Sequence, residues 1–342
     1  MTVIEYKCPS CGSNQVFDSE TGKLTCQGCG RTDDVENAPD PLKNTVFEEN
    51  EGHEYHCTSC GAVIMTEAET TATSCSFCGS PVVLGDRLTG KLAPALVIPF
   101  SVSKEEAMKA FRKWCRNGRL TPNGFMTADR VKSITGMYVP FWLYDLHNHI
   151  EVQARGTKVR MYTRGGYRYT ETSHYDIYRE IQLQYAKVPI DAAEKMNDEL
   201  MDKLEPYPYE QLKSFKTPYL AGFIAEKYSY NDEQLFPRAK EKISDYIDAY
   251  IKSTIPGYAT VNYTNKQIQT SSSKRDYALL PVWVLHYDYN KLEYTFAMNG
   301  QTGKVVGKPP ISKAKVSAWF GGLFCGTFLA MKLLSWIVGG VL

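Results

Sequence analysis

A mixed α+β fold with two small metal-stapled modules and one membrane-spanning helix is predicted by three features of the 342-residue sequence. A four-cysteine pattern occurs twice near the N-terminus. Alternating runs rich in Tyr, Val and Ile are interleaved with three amphipathic segments, and the last 27 residues carry a single charge. With 43% apolar and 23% charged residues, the composition is that of a folded protein and excludes a disordered chain.

The first apolar residues run directly into "CPSCG", where a secretory signal would need its cleavage site, so the body is expected to stay in the cytoplasm. Eight of the ten cysteines form Cys-x-x-Cys pairs, which in a reducing compartment favours metal ligation over disulfides. Cys8, Cys11, Cys26 and Cys29 make one set, and Cys57, Cys60, Cys75 and Cys78 the other. Both read C-x2-C-x14-C-x2-C, and 49 residues separate each ligand from its counterpart. Tyr6/Tyr55, Ser10/Ser59, Glu20/Glu69 and Thr21/Thr70 match at the same offset, which marks an internal repeat. Glycine follows every pair, at Gly12, Gly30, Gly61 and Gly79, where a knuckle turn needs a positive φ. Four thiolates from two knuckles suit a closed tetrahedral Zn2+ site, hence two ions per chain, with rubredoxin-like iron as the alternative. Such a module is too small to bury a core and needs its ion to fold. His53 and His56 could substitute as ligands, but each set is already complete. Cys115 and Cys325 have no such partner and read as packing residues. The organisation is thus a zinc ribbon at 1–33, an acidic linker at 34–54, a second ribbon at 55–84, and a body at 91–312.

Charge separates the ribbons from the body. Residues 1–90 hold 5 Lys and Arg against 14 Asp and Glu, a balance of −9, while the remainder of the chain carries +10. Two four-thiolate zinc sites, each with a formal charge of −2, take the N-terminal region to about −13. Nucleic-acid affinity comes mainly from Lys and Arg displacing counterions, so these ribbons should repel a phosphate backbone. An acidic ribbon suits a basic protein surface instead.

In the body, "SKEEAMKAFRKWCRNG" predicts a helix with a Ser103/Glu106 capping box and Met108, Phe111 and Cys115 on one face, ending at Gly118. "DAAEKMNDELMDKLEPY" predicts a second, opened by Asp191 and Glu194, with Met196, Leu200 and Leu204 inward and a stop at Pro206. A third is expected from Pro237 to about Ser253, burying Ile243, Ile247 and Ile251. Strands are expected in "GMYVPFWLYDLHNHIEVQAR", "YRYTETSHYDIYREIQLQYA", "ATVNYTNKQIQT" and "YALLPVWVLHYDYNKLEYTFAMNGQTGKVVG", with turns at the Gly165–Gly166 and Asn299–Gly300 pairs. Pro140/Trp142 and Pro281/Trp283 share a Pro-x-Trp core, as equivalent strands of a duplicated body would.

Chemistry is sparse. Asp145, His147, His149 and Glu151 alternate on one strand face and could hold a divalent metal for hydrolysis, although a half-buried strand shows the same polar alternation opposite Leu146, Ile150 and Val152. The chain has no Gly-rich phosphate loop and no nucleophile elbow, and no enzymatic role is expected.

The tail from Val316 to Leu342 exceeds the roughly 20 residues of a membrane span. Trp319 and Trp336 lie about 25 Å apart along a helix, near the two interfaces of the bilayer. Lys332 can snorkel toward the far headgroups. Lys304, Lys308, Lys313 and Lys315 precede the span and no cation follows it, so a 316–338 transmembrane helix with a cytoplasmic body is expected. Ala318, Gly322, Gly326 and Ala330 form a small-residue ridge suited to another membrane helix.

The phrases "EYKCPSCGS", "ETTATSCSFCG", "AFRKWC", "SITGMYVPFW", "EKMNDELMDKLEPY" and "FAMNGQTGKVVGKPPIS" occur in an order that resembles the YdjG-like family, membrane-anchored bacterial proteins described as carrying a TFIIB-type zinc ribbon. The resemblance covers nearly the whole chain. It implies zinc at the eight cysteines, no catalytic residue, and association with an SPFH (flotillin-like) protein, a phage-shock-protein-A relative and another membrane protein in a membrane-stress assembly. The expected function is therefore a tail-anchored scaffold that docks proteins through its ribbons, with its basic body resting on anionic lipid. A membrane-tethered nucleic-acid-binding regulator is the alternative, and a metal-dependent hydrolase the third reading.

Overall fold

Two strands of great length organise the chain. The structure, a computed structural model, describes residues 3–38, 54–66, 69–75, 78–84, 88, 93–116, 118, 120–122, 125, 131–289 and 292–339. The N-terminal strands are β1 (Val3–Ile4), β2 (Gln15–Asp18), β3 (Lys23–Cys26), β4 (Thr32–Asp33), β5 (Glu54–His56), β6 (Val63–Met65), β7 (Thr70–Ser74) and β8 (Pro81–Leu84). The body follows with β9 (Leu96–Val97), α1 (Lys104–Arg116), β10 (Val131–Arg164), β11 (Tyr167–Asp191), α2 (Asp198–Lys203), β12 (Lys213–Ser214) and β13 (Ile224–Glu226). It closes with α3 (Asp232–Ser253), β14 (Thr260–Tyr289), β15 (Leu292–Asn299), β16 (Val305–Gly307) and α4 (Lys313–Gly339). A mixed α+β architecture with one long apolar C-terminal helix results.

β10 and β14 pair antiparallel over most of their length and form the centre of an 11-stranded sheet. An offset of 141 residues relates Pro140 to Pro281 and Trp142 to Trp283, and Val139 pairs with its own counterpart, Leu280. A local dyad therefore passes through that pair, and the surroundings obey it. β13 runs parallel to β10 at Met137 and Tyr138, while β9 runs parallel to β14 at Ala278 and Leu279. β11 then takes up the β10 edge from Phe141 onward, as β15 takes up the β14 edge from Val282 onward. The body consists of two intertwined β-α-β-β units, β9-α1-β10-β11 and β13-α3-β14-β15.

The dyad explains the two Pro-x-Trp sequences. The Trp283 indole N–H donates to the Val102 carbonyl, two residues before α1, and the Trp142 indole donates to the Tyr230 carbonyl, two residues before α3, each at 3.0 Å. Each tryptophan fixes the entry to the other unit's helix. The helices open alike: Ser103 and Glu106 exchange capping-box bonds at α1, as Asn231 and Gln234 do at α3. That box starts α3 at Asp232, five residues before the expected Pro237, which lies inside the helix and withholds one N–H. The second helix also differs from expectation. Asp191 ends β11 and its carboxylate meets the Arg238 guanidinium at 2.8 Å, so α2 starts only at Asp198, capped by Asn197. Asn299, in the place equivalent to Asp191, is buried and donates to the carbonyls of Leu204 and Pro206 while accepting from Gln301 and Thr302.

Phe100 stacks on Phe223 at 4.2 Å and meets Tyr138 and Trp283 edge-on, on the sheet face that α1 covers. Met201, Leu204 and Tyr207 cover the opposite face. Beyond this core, β10, β11 and β14 continue as a three-stranded arm, with α3 laying Ile243, Ile247 and Ile251 over Ile150, Val152, Ala154, Ile177 and Ile181. Ile247→Ala should lower the unfolding free energy by about 2–5 kcal/mol, read from the denaturant midpoint of the solubilised chain. Gly165 and Gly166, both at positive φ, turn β10 into β11.

The sequence divides the chain near residue 90, but no sheet boundary falls there. β7 pairs with β13, in the position beside that strand which β12 holds beside β9, and β8 and β1 extend the same sheet outward. The expected linker also begins in ordered structure. Residues 35–37 form a short 3-10 turn with Val35 buried, and the stretch 39–53, including His53, lies outside the described residues.

Candidate metal centres

Each ribbon is two knuckles facing across a gap. In all four, the glycine after the second cysteine donates its N–H to the carbonyl of the first, at 2.9 Å (Gly12), 3.1 Å (Gly30), 2.8 Å (Gly61) and 2.9 Å (Gly79). Their φ values of 73 to 75° explain why glycine recurs, since a side chain there would be strained. The turns bring all four sulfurs of each set within 4.8 Å of one another. Cys8–Cys29 and Cys11–Cys26 lie 3.6 and 3.5 Å apart, and Cys57–Cys78 and Cys60–Cys75 lie 3.7 and 3.8 Å apart. A tetrahedron with arms of 2.3 Å has edges of about 3.8 Å, so both sets fit a four-thiolate ion with no open coordination position.

Without an ion, four sulfurs this close cannot all ionise. Ser13, through its side chain and amide, draws the Cys11 thiol down to about 6, and Ser80 does the same for Cys78. The Arg31 amide favours the Cys29 thiolate, but the crowding sulfurs of Cys11, Cys26 and Cys8 push that thiol up to about 12. A divalent cation removes this conflict by favouring the thiolate at all four positions.

The two sets are built into one another. Glu5, just before the first cysteine pair, reaches the second set: its carboxylate accepts from the Ser59 amide at 3.1 Å and hydroxyl at 2.6 Å, and lies 3.5 Å from the Cys57 sulfur. Burial works to raise the Glu5 pKa, but the Ser59 and Lys7 donors outweigh it and hold it down at about 2. Lys7 bonds the Ser59 hydroxyl, and Asn14 donates to Ser80 at 2.8 Å. The first ribbon also docks on the body. Phe17 packs edge-on to Tyr219 at 5.4 Å, its amide donates to Ala221, Tyr6 bonds Thr217, and Glu36 pairs with Lys216. None of these contacts was expected from the sequence. Glu5 carried one signal, because Glu54 occupies its equivalent place in the repeat. Glu5→Ala should cost about 1–3 kcal/mol by stranding the Ser59 donors. It should also speed metal loss from the second set, measured as chelator-driven release.

Other expected sites are placed differently. Among the described residues, the two cysteine sets alone bring three or more ligand-type side chains within 4.8 Å. Asp145 sits at a bulge and accepts the Lys187 amide at 2.8 Å, His147 meets Ser273 at 2.9 Å, and His149 lies 3.4 Å from Glu151 and 3.9 Å from Glu180. Cys115 is buried on the inner face of α1, where desolvation pushes its thiol up to about 12. Cys325 is exposed on α4.

No protein-family description matches the chain, and no solved structure is similar to it. The Bacillus subtilis (strain 168) "Uncharacterized protein YdjG" is 63% identical over 338 residues, which cover 99% of this chain and 99% of the relative. That likeness spans the ribbon cysteines, the paired Pro-x-Trp strands and the apolar terminal helix, and by it this chain belongs to the YdjG family.

Proposed function

We propose that the protein is a tail-anchored membrane scaffold, with α4 in the cytoplasmic membrane, the body in the cytoplasm, and a zinc-stapled ribbon pair that docks a basic protein surface. The observation that carries this reading is the state of α4: its apolar stretch Lys313–Trp336 is long enough to cross a bilayer, and none of it is buried against the body. The body core closes without it. The root of the helix is nevertheless held, with the Ser312 amide donating to the Leu120 carbonyl at 2.8 Å and Lys315 to that of Thr121 at 2.6 Å. Such a root suits a body carried at a fixed attitude to its anchor.

Rigid docking of both ribbons on the central sheet supports their use as a protein-binding platform, because a partner need not order them on binding. Glu20 and Asp34, two of the N-terminal acidic residues, are exposed. The family resemblance supports an SPFH-like protein, a phage-shock-protein-A relative and another membrane protein as candidates. Carbonate extraction and vesicle flotation test the anchor: the chain should stay with the bilayer and float with vesicles. Recovery of the full chain in the soluble fraction would overturn it.

A further inference from the structure

We propose that the tip of the arm, residues 158–176, docks on an anionic lipid surface, so that the arm lies along the bilayer that α4 crosses. The proposal rests on the membrane-anchored reading above and deepens it by naming the part of the body that meets lipid.

The arm is where the two body units differ. β14 turns back after Tyr289, nine residues beyond the dyad at Leu280, whereas β10 continues to Arg164, 25 residues beyond Val139. The added length contributes nothing to the central core. Past Thr157, where pairing with β14 stops at Thr260, β10 and β11 run on as two strands alone. From Lys158 to Asp176 every residue is exposed except Ser173, which is half-buried. A two-stranded hairpin without a covered face is marginal in water, so this tip is built to meet something.

Its chemistry points to a lipid interface. Residues 155–176 hold Arg155, Lys158, Arg160, Arg164 and Arg168 against Glu171 and Asp176, with Asp176 turned to Arg155 at 3.6 Å. Strand alternation and the β10–β11 register put Lys158, Arg160, Tyr162 and Arg164 with Tyr167 and Tyr169 on the side that α3 occupies. Val159 and Met161 project from the opposite side with Arg168. Tyr167 and Met161 are 73% and 69% exposed. Apolar groups thus stand on both faces of one thin hairpin. A protein surface or an added strand covers one face or one edge, whereas an interface of headgroups and acyl chains receives both, with tyrosines and cations at headgroup depth. Each cation brought to an anionic leaflet strengthens binding about fivefold.

α4 leaves the body at the end of the sheet opposite the arm, held by Leu120 and Thr121; the Phe125 amide donates to the neighbouring Pro122 carbonyl, and its ring packs on Tyr287 and Tyr289 at the Val131 end of β10. The 34 residues of β10 extend about 110 Å. An upright arm would hold its tip roughly that far from the headgroups, and a lying arm would place it among them.

The test uses the full chain with p-benzoylphenylalanine in place of Tyr167, reconstituted in phosphatidylcholine vesicles with or without phosphatidylglycerol and irradiated. Lipid adducts at position 167 are expected in the anionic vesicles, reduced roughly tenfold or more in neutral vesicles and in the Arg160→Gln/Arg164→Gln/Arg168→Gln variant. The matching Arg→Lys variant should retain them. Unchanged metal content in each variant shows that the substitutions leave the fold intact. A chain that floats with its vesicles but gives no lipid adduct, or adducts only to a second copy, overturns the proposal while leaving the anchor standing. Failure to float with neutral vesicles overturns the anchor and the proposal together.

Discussion

Cys60→Ser should lower the metal content from two ions to one and loosen the outer edge of the central sheet. The second set has this reach because the hairpin that ends in Cys75 and restarts after Cys78 is β7–β8, and β7 pairs directly with β13 of the body. β1 rests on β8, so the first ribbon loses its entry strand when that hairpin slackens. Structural zinc sites contribute about 10–16 kcal/mol in small modules, comparable with the whole stability of an ordinary domain, so a set of three cysteines cannot hold the hairpin in place. Cys29→Ser should remove one ion with a milder consequence, because β2, β3 and β4 form a separate small sheet that leans on residues 217–223 without completing them. Metal analysis with limited proteolysis reads both outcomes. Early cleavage in the body is expected for Cys60→Ser, and cleavage confined to the first ribbon for Cys29→Ser. Equal damage from the two would show that the sheet continuity does not transmit the loss.

Phe324→Arg with Phe328→Arg should detach the chain from membranes without unfolding it. Each arginine near the centre of a span costs about 2.5–3.5 kcal/mol, and together they shift insertion by roughly 10⁴-fold. Both side chains are exposed on α4, at 65% and 50%, so neither substitution touches the body core. The doubly substituted chain should appear in the soluble fraction with both metal sites loaded and its denaturant midpoint unchanged. A lowered midpoint would mean that α4 packs on protein.

The two four-cysteine clusters were legible because a knuckle is a local structure: two cysteines, a glycine and the intervening backbone specify it, and the pattern recurs after 49 residues. The buried faces of α1 and α3 were legible for the same reason, since Phe111, Cys115, Ile243, Ile247 and Ile251 follow helical spacing. What failed was long-range. The contacts that dock the first ribbon join Tyr6 to Thr217 and Phe17 to Tyr219, across some two hundred residues, and no spacing rule reaches that far. The Pro-x-Trp pair showed the duplication, but its meaning lay in register: only pairing Val139 with Leu280 reveals that each tryptophan serves the other unit's helix. The Asp191 helix start was misplaced because Arg238 on α3 claims that carboxylate. The arm is legible in the sequence only as separate runs, since strand propensity marks extended chain without stating how far one strand continues.

We propose that the acidic N-terminal region, whose cysteine modules are joined to the central sheet through β1, β7 and β8, meets a basic protein rather than a phosphate backbone. The most direct test of the scaffold account is co-purification of the intact chain from native membranes in mild detergent, beside a Glu20→Lys/Asp34→Lys variant. The account predicts a stoichiometric protein partner, of the SPFH, phage-shock or companion membrane type, that is lost from the variant while both metal ions remain. Purification with no protein partner, or with nucleic acid in its place, would contradict it.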